Sequence, residues 1–216
     1  MTLTAMTLTA MTRVKICGIT RPEDGLAAAY AGADAIGLVF YAKSPRNVAL
    51  DRAASIVRAL PPFVTSVALF VNPQPEAVVA VLRCVRPDLL QFHGEESPEF
   101  CRSFGVPYLK AVRVRPETDL LQSAALYADA QGLLLDAWSD AAHGGTGERF
   151  DWNLIPADLP KPPILAGGLS PANVRRAIET VQPWAVDVSS GVEVSKGIKD
   201  AALIAAFMKE VRNANV

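Results

Sequence analysis

The stretch "VKICGIT" (residues 14–20) reads as a strand that turns directly into a helix. Val14, Ile16 and the aliphatic stem of Lys15 make the strand, and Cys17 and Gly18 end it. Thr20 and Glu23 have the spacing of a capping box around Pro22, which predicts a helix start there. The turn between strand and helix is C-G-I-T. It is not the G-x-G-x-x-G with which an open dinucleotide-binding sheet follows its first strand.

Outward from this unit the same alternation repeats. Apolar runs rich in branched residues fall at 14–16, 35–40, 65–71, 89–92, 107–112, 132–136, 164–166 and 185–188. Few polar residues interrupt them, as expected of parallel strands covered on both faces. Between them lie one-sided apolar stripes at i, i+3, i+4, i+7, such as Ala53, Ile56, Val57 and Leu60, or Val78, Val81, Leu82 and Val85. Ser97-Pro98 and Ser170-Pro171 place proline at first helical positions, and 200–213 is a closing amphipathic helix. Eight strands alternating with about eight helices predict a single α/β domain, a (β/α)8 TIM barrel. The alternative is an open doubly wound sheet, but the glycine-rich loops come after strands six, seven and eight rather than after strand one.

Length alone suits one large domain or two small ones, and the composition allows a sizeable core. Half of the 216 residues are hydrophobic, and 21 basic residues against 22 acidic ones give a formal net charge of −1. That balance predicts no nucleic-acid partner, and the absence of a long apolar run predicts no membrane span. Three cysteines with no C-x-x-C pair and only two histidines predict neither a disulfide framework nor a metal site, and point to a reducing cytoplasm. The start, "MTLTAMTLTAM", repeats a five-residue block, so residues 1–11 are expected to be a disordered extension and 12–216 the barrel.

In such a barrel chemistry sits at the C-terminal ends of the strands. Those ends carry Cys17, the loop "YAKSPRN", Asn72, "HGEE", Arg113, Asp136, "AGGLS" and "DVSSGVE". The turns Gly167-Gly168 and Ser189-Ser190-Gly191 follow strands seven and eight, where loops of this fold commonly bind phosphate through backbone N–H groups. Gly144, Gly145 and Gly147 are placed to close over the same anion. Cys17 is expected at the barrel mouth, with Gly18 leaving room for a ligand, and Asp136 ends the apolar strand "GLLLD". A thiol and a carboxyl facing one cavity can serve as base and acid. Lys15 is expected to point away from Cys17 and to take no part.

"KICGIT", "SPR", "QFHG", "LLLDA…GGTGERFDW", "LAGGLSPANV" and "VDVSSGVE…KGIKD" together resemble the phosphoribosylanthranilate isomerase family of tryptophan biosynthesis. The resemblance runs from Val14 to the C-terminus. "AGGL" is common to phosphate-binding barrels, whereas K-x-C-G with GGTGxxFDW is specific to the family. The resemblance implies a cofactor-free Amadori rearrangement of a phosphorylated sugar–anthranilate. It implies Cys17 as general base, Asp136 as general acid, and Arg46 on the anthranilate carboxylate. It implies a phosphate cradle of Gly145, Gly167, Gly168, Ser189, Ser190 and Gly191, with His93 near the substrate. A monomer or a homodimer is expected. Among related barrels, a ribulose-phosphate epimerase needs more metal-binding histidines, and the histidine-pathway isomerase carries aspartate where this chain has Cys17. A non-catalytic phosphosugar-binding protein has no use for both Cys17 and Asp136.

Overall fold

The computed structural model describes residues 11–137 and 151–214. Its eight expected strands are β1 (Arg13–Cys17), β2 (Ala35–Phe40), β3 (Thr65–Phe70), β4 (Leu89–Phe92), β5 (Tyr108–Val114), β6 (Gly132–Ala137), β7 (Pro163–Leu165) and β8 (Ala185–Val188). Each pairs in parallel with its neighbours in chain order, and β8 closes on β1. The closed parallel barrel follows from the alternation, because each helical crossover returns the chain to the same end of the sheet.

The helices are α1 (Pro22–Ala31), α2 (Leu50–Ala59), α3 (Pro75–Cys84), α4 (Pro98–Arg102), α5 (Leu120–Leu126), α6 (Val174–Val181) and α7 (Ala201–Ala214). Between β6 and β7 the described residues hold only a 3-10 turn, Trp152–Leu154. The prolines at 156, 160, 162 and 163 that follow could not continue a helix. An antiparallel hairpin of β9 (Glu193–Ser195) and β10 (Ile198–Lys199) is inserted after β8.

Helix starts differ in part from expectation. Ser97 caps α4 as expected, its side chain accepting from Phe100 N at 3.2 Å. The capping box at Thr20 does not form. Arg21 is the N-cap of α1, and the Thr20 hydroxyl instead donates to Gly197 O on the β9–β10 turn. Nor does α6 begin at Pro171: it begins at Val174. The Asn173 side chain accepts from Ser170 N and donates to Gly168 O, both at 2.8 Å, and holds the intervening residues in a turn.

Strand periodicity sorts the core into two shells. Outward-facing Val14, Ile16, Ile36, Leu38, Phe70 and Phe92 join the helical stripes, including Ile56 and Val81, in the layer between barrel and helices. Inward-facing Leu109, Ala111, Leu134, Ile164, Ala166 and Ala185 fill the barrel. Each such buried Leu or Ile contributes about 1.5–3 kcal/mol. Lys15, Gln91 and Asp187 are also buried and lie on inward-facing positions. No helix among the described residues is long and apolar enough to cross a membrane.

Residues 1–10 lie outside the described part; Met11 is 63% exposed, whereas Thr12 is buried at 8%. Among the described residues burial begins at Thr12. Deleting residues 1–11 is expected to leave the melting temperature unchanged, and further removal of Thr12 to lower it. A clear fall in the first variant would show that the extension packs.

Candidate active site

A cavity opens at the C-terminal ends of the strands, where the fold leads one to look. Cys17, Arg46, His93 and Asp136 all line it, as do Gly167, Gly168, Ser189 and Ser190. Gly191 sits behind this wall: a Cβ there would stand 2.0 Å from Leu169 O, so the turn closes only around glycine. Gly144, Gly145 and Gly147 lie outside the described residues. Asn72 and Arg113 are not on the cavity. Asn72 accepts from Glu95 N at 2.7 Å and Arg113 binds the Glu95 carboxylate, so both serve the loop after β4.

Strand register builds the thiol's surroundings. Lys15 pairs with Asp187 across the β1–β8 seam, and Cys17 pairs with Gly37 across β1–β2. The Lys15 ammonium is 2.9 Å from Asp187 Oδ1, with both side chains buried. Lys15 does not point away from Cys17: residues two apart on a strand share a face, and the residue between them, Ile16, is the one that points outward. A Cβ on Gly37 would meet Cys17 Sγ at 2.7 Å and Lys15 Cε at 3.1 Å, so both side chains pack over that glycine. Burial pushes the Cys17 thiol up from its ordinary value, Lys15 and Lys199 pull it down, and Asp187 raises it. Burial also works against the Lys15 ammonium, but Asp187 and the thiol more than offset this and leave it raised.

A second set of charges ties the loop after β2 to the hairpin after β8. Arg46 Nε and Nη2 each donate to one Glu193 carboxylate oxygen at 2.8 Å. Lys199 Nζ reaches Glu193 Oε1 at 2.8 Å and Ser189 O at 3.0 Å. Burial drives Glu193 up, yet Arg46 and Lys199 hold it below the usual carboxylate range. The room beside Gly18 is taken by Arg46: a Cβ there would fall 2.5 Å from Arg46 Cδ and 3.1 Å from Ser189 Oγ. With φ at 78°, Gly18 serves the turn and the arginine's passage rather than open space for a ligand.

Across the cavity, His93 Nε2 lies 3.2 Å from Asp136 Oδ2, and Ala137 N donates to Asp136 Oδ1 at 2.9 Å. His93 is fixed from below by Gln91 and from the loop side by a buried cluster. There Glu96 accepts from Gly94 N and Asn72 N, and Lys110 bonds both Glu96 and Gly94 O. On the same wall, beside Asp136, Gly167 and Gly168 both have positive φ, 84° and 62°. A Cβ on Gly167 would stand 2.7 Å from Ala137 N and 3.0 Å from Asp136 Oδ1, so the glycine turn packs directly on the carboxyl.

Sequence reasoning gave no role to Gln91, Asn173, Asp187, Glu193 or Lys199, although all five lie in stretches it quoted, and it misdirected Lys15. For Lys15, Gln91 and Asp187 a signal existed: each is a polar residue inside an apolar strand, two positions before Cys17, His93 and Ser189.

The arrangement offers a thiol among cations, a carboxyl bonded to an imidazole, and two glycine-containing turns around one cavity. Known proteins resemble this chain in sequence and in fold. The sequence model described as N-(5'-phosphoribosyl)anthranilate isomerase matches residues 14–210. An N-(5'-phosphoribosyl)anthranilate isomerase of Pseudomonas aeruginosa is 62% identical over 201 residues, covering 93% of this chain and 95% of that protein. A crystal structure of phosphoribosylanthranilate isomerase from Thermotoga maritima superposes with a TM-score of 0.85 at 43% identity, covering 94% of this chain and all of that one. A second crystal structure, of the isomerase with reduced 1-(o-carboxyphenylamino)-1-deoxyribulose 5-phosphate, gives 0.82 at 43% identity over the same shares. A third, of monomers generated from the dimeric Thermotoga maritima enzyme, gives 0.82 at 41% over those shares. This chain belongs to the phosphoribosylanthranilate isomerase family.

Proposed function

We propose that the chain converts N-(5-phospho-β-D-ribosyl)anthranilate into 1-(2-carboxyphenylamino)-1-deoxy-D-ribulose 5-phosphate in tryptophan biosynthesis, with Asp136 as general acid and Cys17 as general base. The observation that carries this assignment is that the thiol and the carboxyl face one cavity from different strands. Asp136 gives a proton to the furanose ring oxygen as the C1–O bond breaks, and the anilino nitrogen's lone pair forms the iminium. The iminium acidifies C2–H, and the Cys17 thiolate takes that proton to leave an enolamine. Tautomerisation, with the thiol's proton returned to C1 and the C2 hydroxyl giving up its own to restore the Asp136 carboxylic acid, gives the ketose. Acid and base thus act at two different atoms in turn, which suits two separate groups.

A base must be unprotonated, and a buried thiol is poor at this unless a cation stands beside it. Lys15 supplies that cation, with Lys199 and Arg46 further out. Arg46 is our candidate for the anthranilate carboxylate. Glu193 takes up Nε and one Nη2 proton, which leaves the Nη1 edge of the guanidinium for a second carboxylate. Gly145, Gly167, Gly168, Ser189, Ser190 and Gly191 are our candidates for the phosphate. The turn after β7, braced by Asn173, and the turn after β8, held by Lys199, give this reading its support. No cofactor is assigned. With three free cysteines a reducing compartment, the cytoplasm, is the location we assign.

The barrel's other end bears on oligomeric state. Phe63 sits in the α2–β3 loop at φ 71°, fully exposed, on a depression lined also by Pro107, Pro162 and Trp184. Of a monomer and a homodimer, the homodimer is the state that covers this side chain.

Three outcomes are expected. Cys17→Ala should bind substrate but stop exchange of the C2 hydrogen, and Asp136→Asn should fail in ring opening. Each lowers kcat by roughly 10²–10⁴-fold, measured as loss of substrate fluorescence with substrate made in situ; wild-type turnover by Cys17→Ala would remove the thiol from the mechanism. Lys15→Met takes a cation from the thiol, so the pH at which iodoacetamide alkylates Cys17 should move up. The same variant strands Asp187 and should destabilise the fold by about 3–5 kcal/mol. An unshifted alkylation profile would deny Lys15 its electrostatic role. Finally, Phe63→Ser should sediment as a monomer where the wild type sediments as a dimer; a monomeric wild type at micromolar concentration would reject the homodimer.

A further inference from the structure

Gln91 is fully buried on the inward face of β4, two residues before His93. Its side-chain Nε2 lies 3.1 Å from His93 Nδ1, while its Oε1 has no hydrogen-bond partner. Leaving a buried oxygen without a hydrogen bond is costly. A leucine would fill the same space without that cost, so the nitrogen end of the amide is the end that matters here.

An amide NH2 can only donate, so the His93 Nδ1 facing it must accept and carries no proton. The ring's single proton is then on Nε2, which faces Asp136 Oδ2 at 3.2 Å. An imidazolium would set N–H against N–H at Gln91. We propose that Gln91 is a positioning residue that fixes His93 as the neutral Nε2–H tautomer, so that His93 donates a hydrogen bond to the Asp136 carboxyl. This rests on Asp136 being the acid of the ring-opening step. As the proton leaves Oδ1 or Oδ2 for the furanose oxygen, a carboxylate forms. Its negative charge is met by two donors already in place, His93 Nε2–H and Ala137 N–H. The other charged groups around His93 are Lys110 and Glu96, paired with each other at 3.0 Å under the loop that follows it. The Cys17 thiol with Lys15 and Asp187 stands elsewhere around the same barrel interior.

The chain has two histidines, His93 and His143, so imidazole nitrogen spectra of ¹⁵N-histidine-labelled protein can be assigned with one His143→Gln control. In the wild type at neutral pH, His93 should show an unprotonated Nδ1 and a protonated Nε2. A protonated Nδ1, as the other tautomer or as imidazolium, overturns the proposal without any mutation at the site. In Gln91→Leu both tautomers should appear, with kcat down tenfold or more within the roughly 10²–10⁴-fold span of a positioned acid and KM unchanged. Gln91→Glu, of the same shape, should draw a proton onto Nδ1 and lower kcat likewise. If Gln91→Leu does not fold, the wild-type and Gln91→Glu spectra decide. Wild-type kcat in a folded Gln91→Leu or Gln91→Glu enzyme would overturn the role. Full activity in Asp136→Asn would instead remove the acid reading and leave the tautomer assignment standing.

Discussion

The seam where β8 closes on β1 is held by a buried ion pair, Lys15 with Asp187, register partners whose charges are 2.9 Å apart. Taking either charge out of water is expensive, and removing one partner leaves the other uncompensated. The pair is therefore fixed wherever the barrel is closed, and Cys17 inherits a fixed cation on its own face of β1. A little higher, Arg46 and Lys199 share Glu193. Three cations and two carboxylates thus surround the thiol's side of the cavity, an excess of one positive charge. A thiolate, or a bound anion, completes that balance. Burial still leaves the thiol raised, against the opposing pull of Lys15 and Lys199.

The opposite wall is organised differently. Among the described residues no lysine or arginine hydrogen-bonds Asp136; its partners are an imidazole and a backbone N–H. In the proposed mechanism Asp136 carries a proton before giving it up, and a neutral donor beside a carboxyl favours the carboxylate less than a lysine would. A base wants a cation that lowers its proton affinity at rest, whereas an acid wants donors that act as the charge appears. The two walls differ in the sense that the proposed roles of Cys17 and Asp136 require.

Most of the barrel was legible because strand–helix alternation and buried parallel strands leave plain patterns. The ends of β2, β4 and β8 fell where the apolar runs ended. Helix starts were less so: Thr20 and Ser170 carry good capping chemistry, but Gly197 O and the Asn173 side chain compete for the same groups. At the site, strand-end residues were readable and their supports were not. Lys15 was misdirected by adjacency to the strand end, although period two puts it under Cys17. Gln91 under His93 and Asp187 under Ser189 follow the same rule, so a polar residue two positions before a strand-end candidate is itself a site residue to consider. The Arg46–Glu193 pair spans 147 positions and leaves no local trace.

That long-range pair explains how a site spread over seven strand ends keeps its geometry. The β9–β10 hairpin carries both Glu193 and Lys199, and its turn at Gly197 receives the Thr20 hydroxyl from the loop after β1. One small insertion therefore grips the loop after β1, the loop after β2 through Arg46, and the turn after β8 through Ser189 O. Were Arg46 held by substrate alone, its long side chain would lose rotamer freedom on each binding event, which works against affinity. Glu193 orders it beforehand with two bonds and leaves a donor edge unused. Pre-ordering by a buried carboxylate also keeps the arginine's charge partly neutralised, so in the role we propose for Arg46 the substrate carboxylate would be bound for its geometry as much as for its charge.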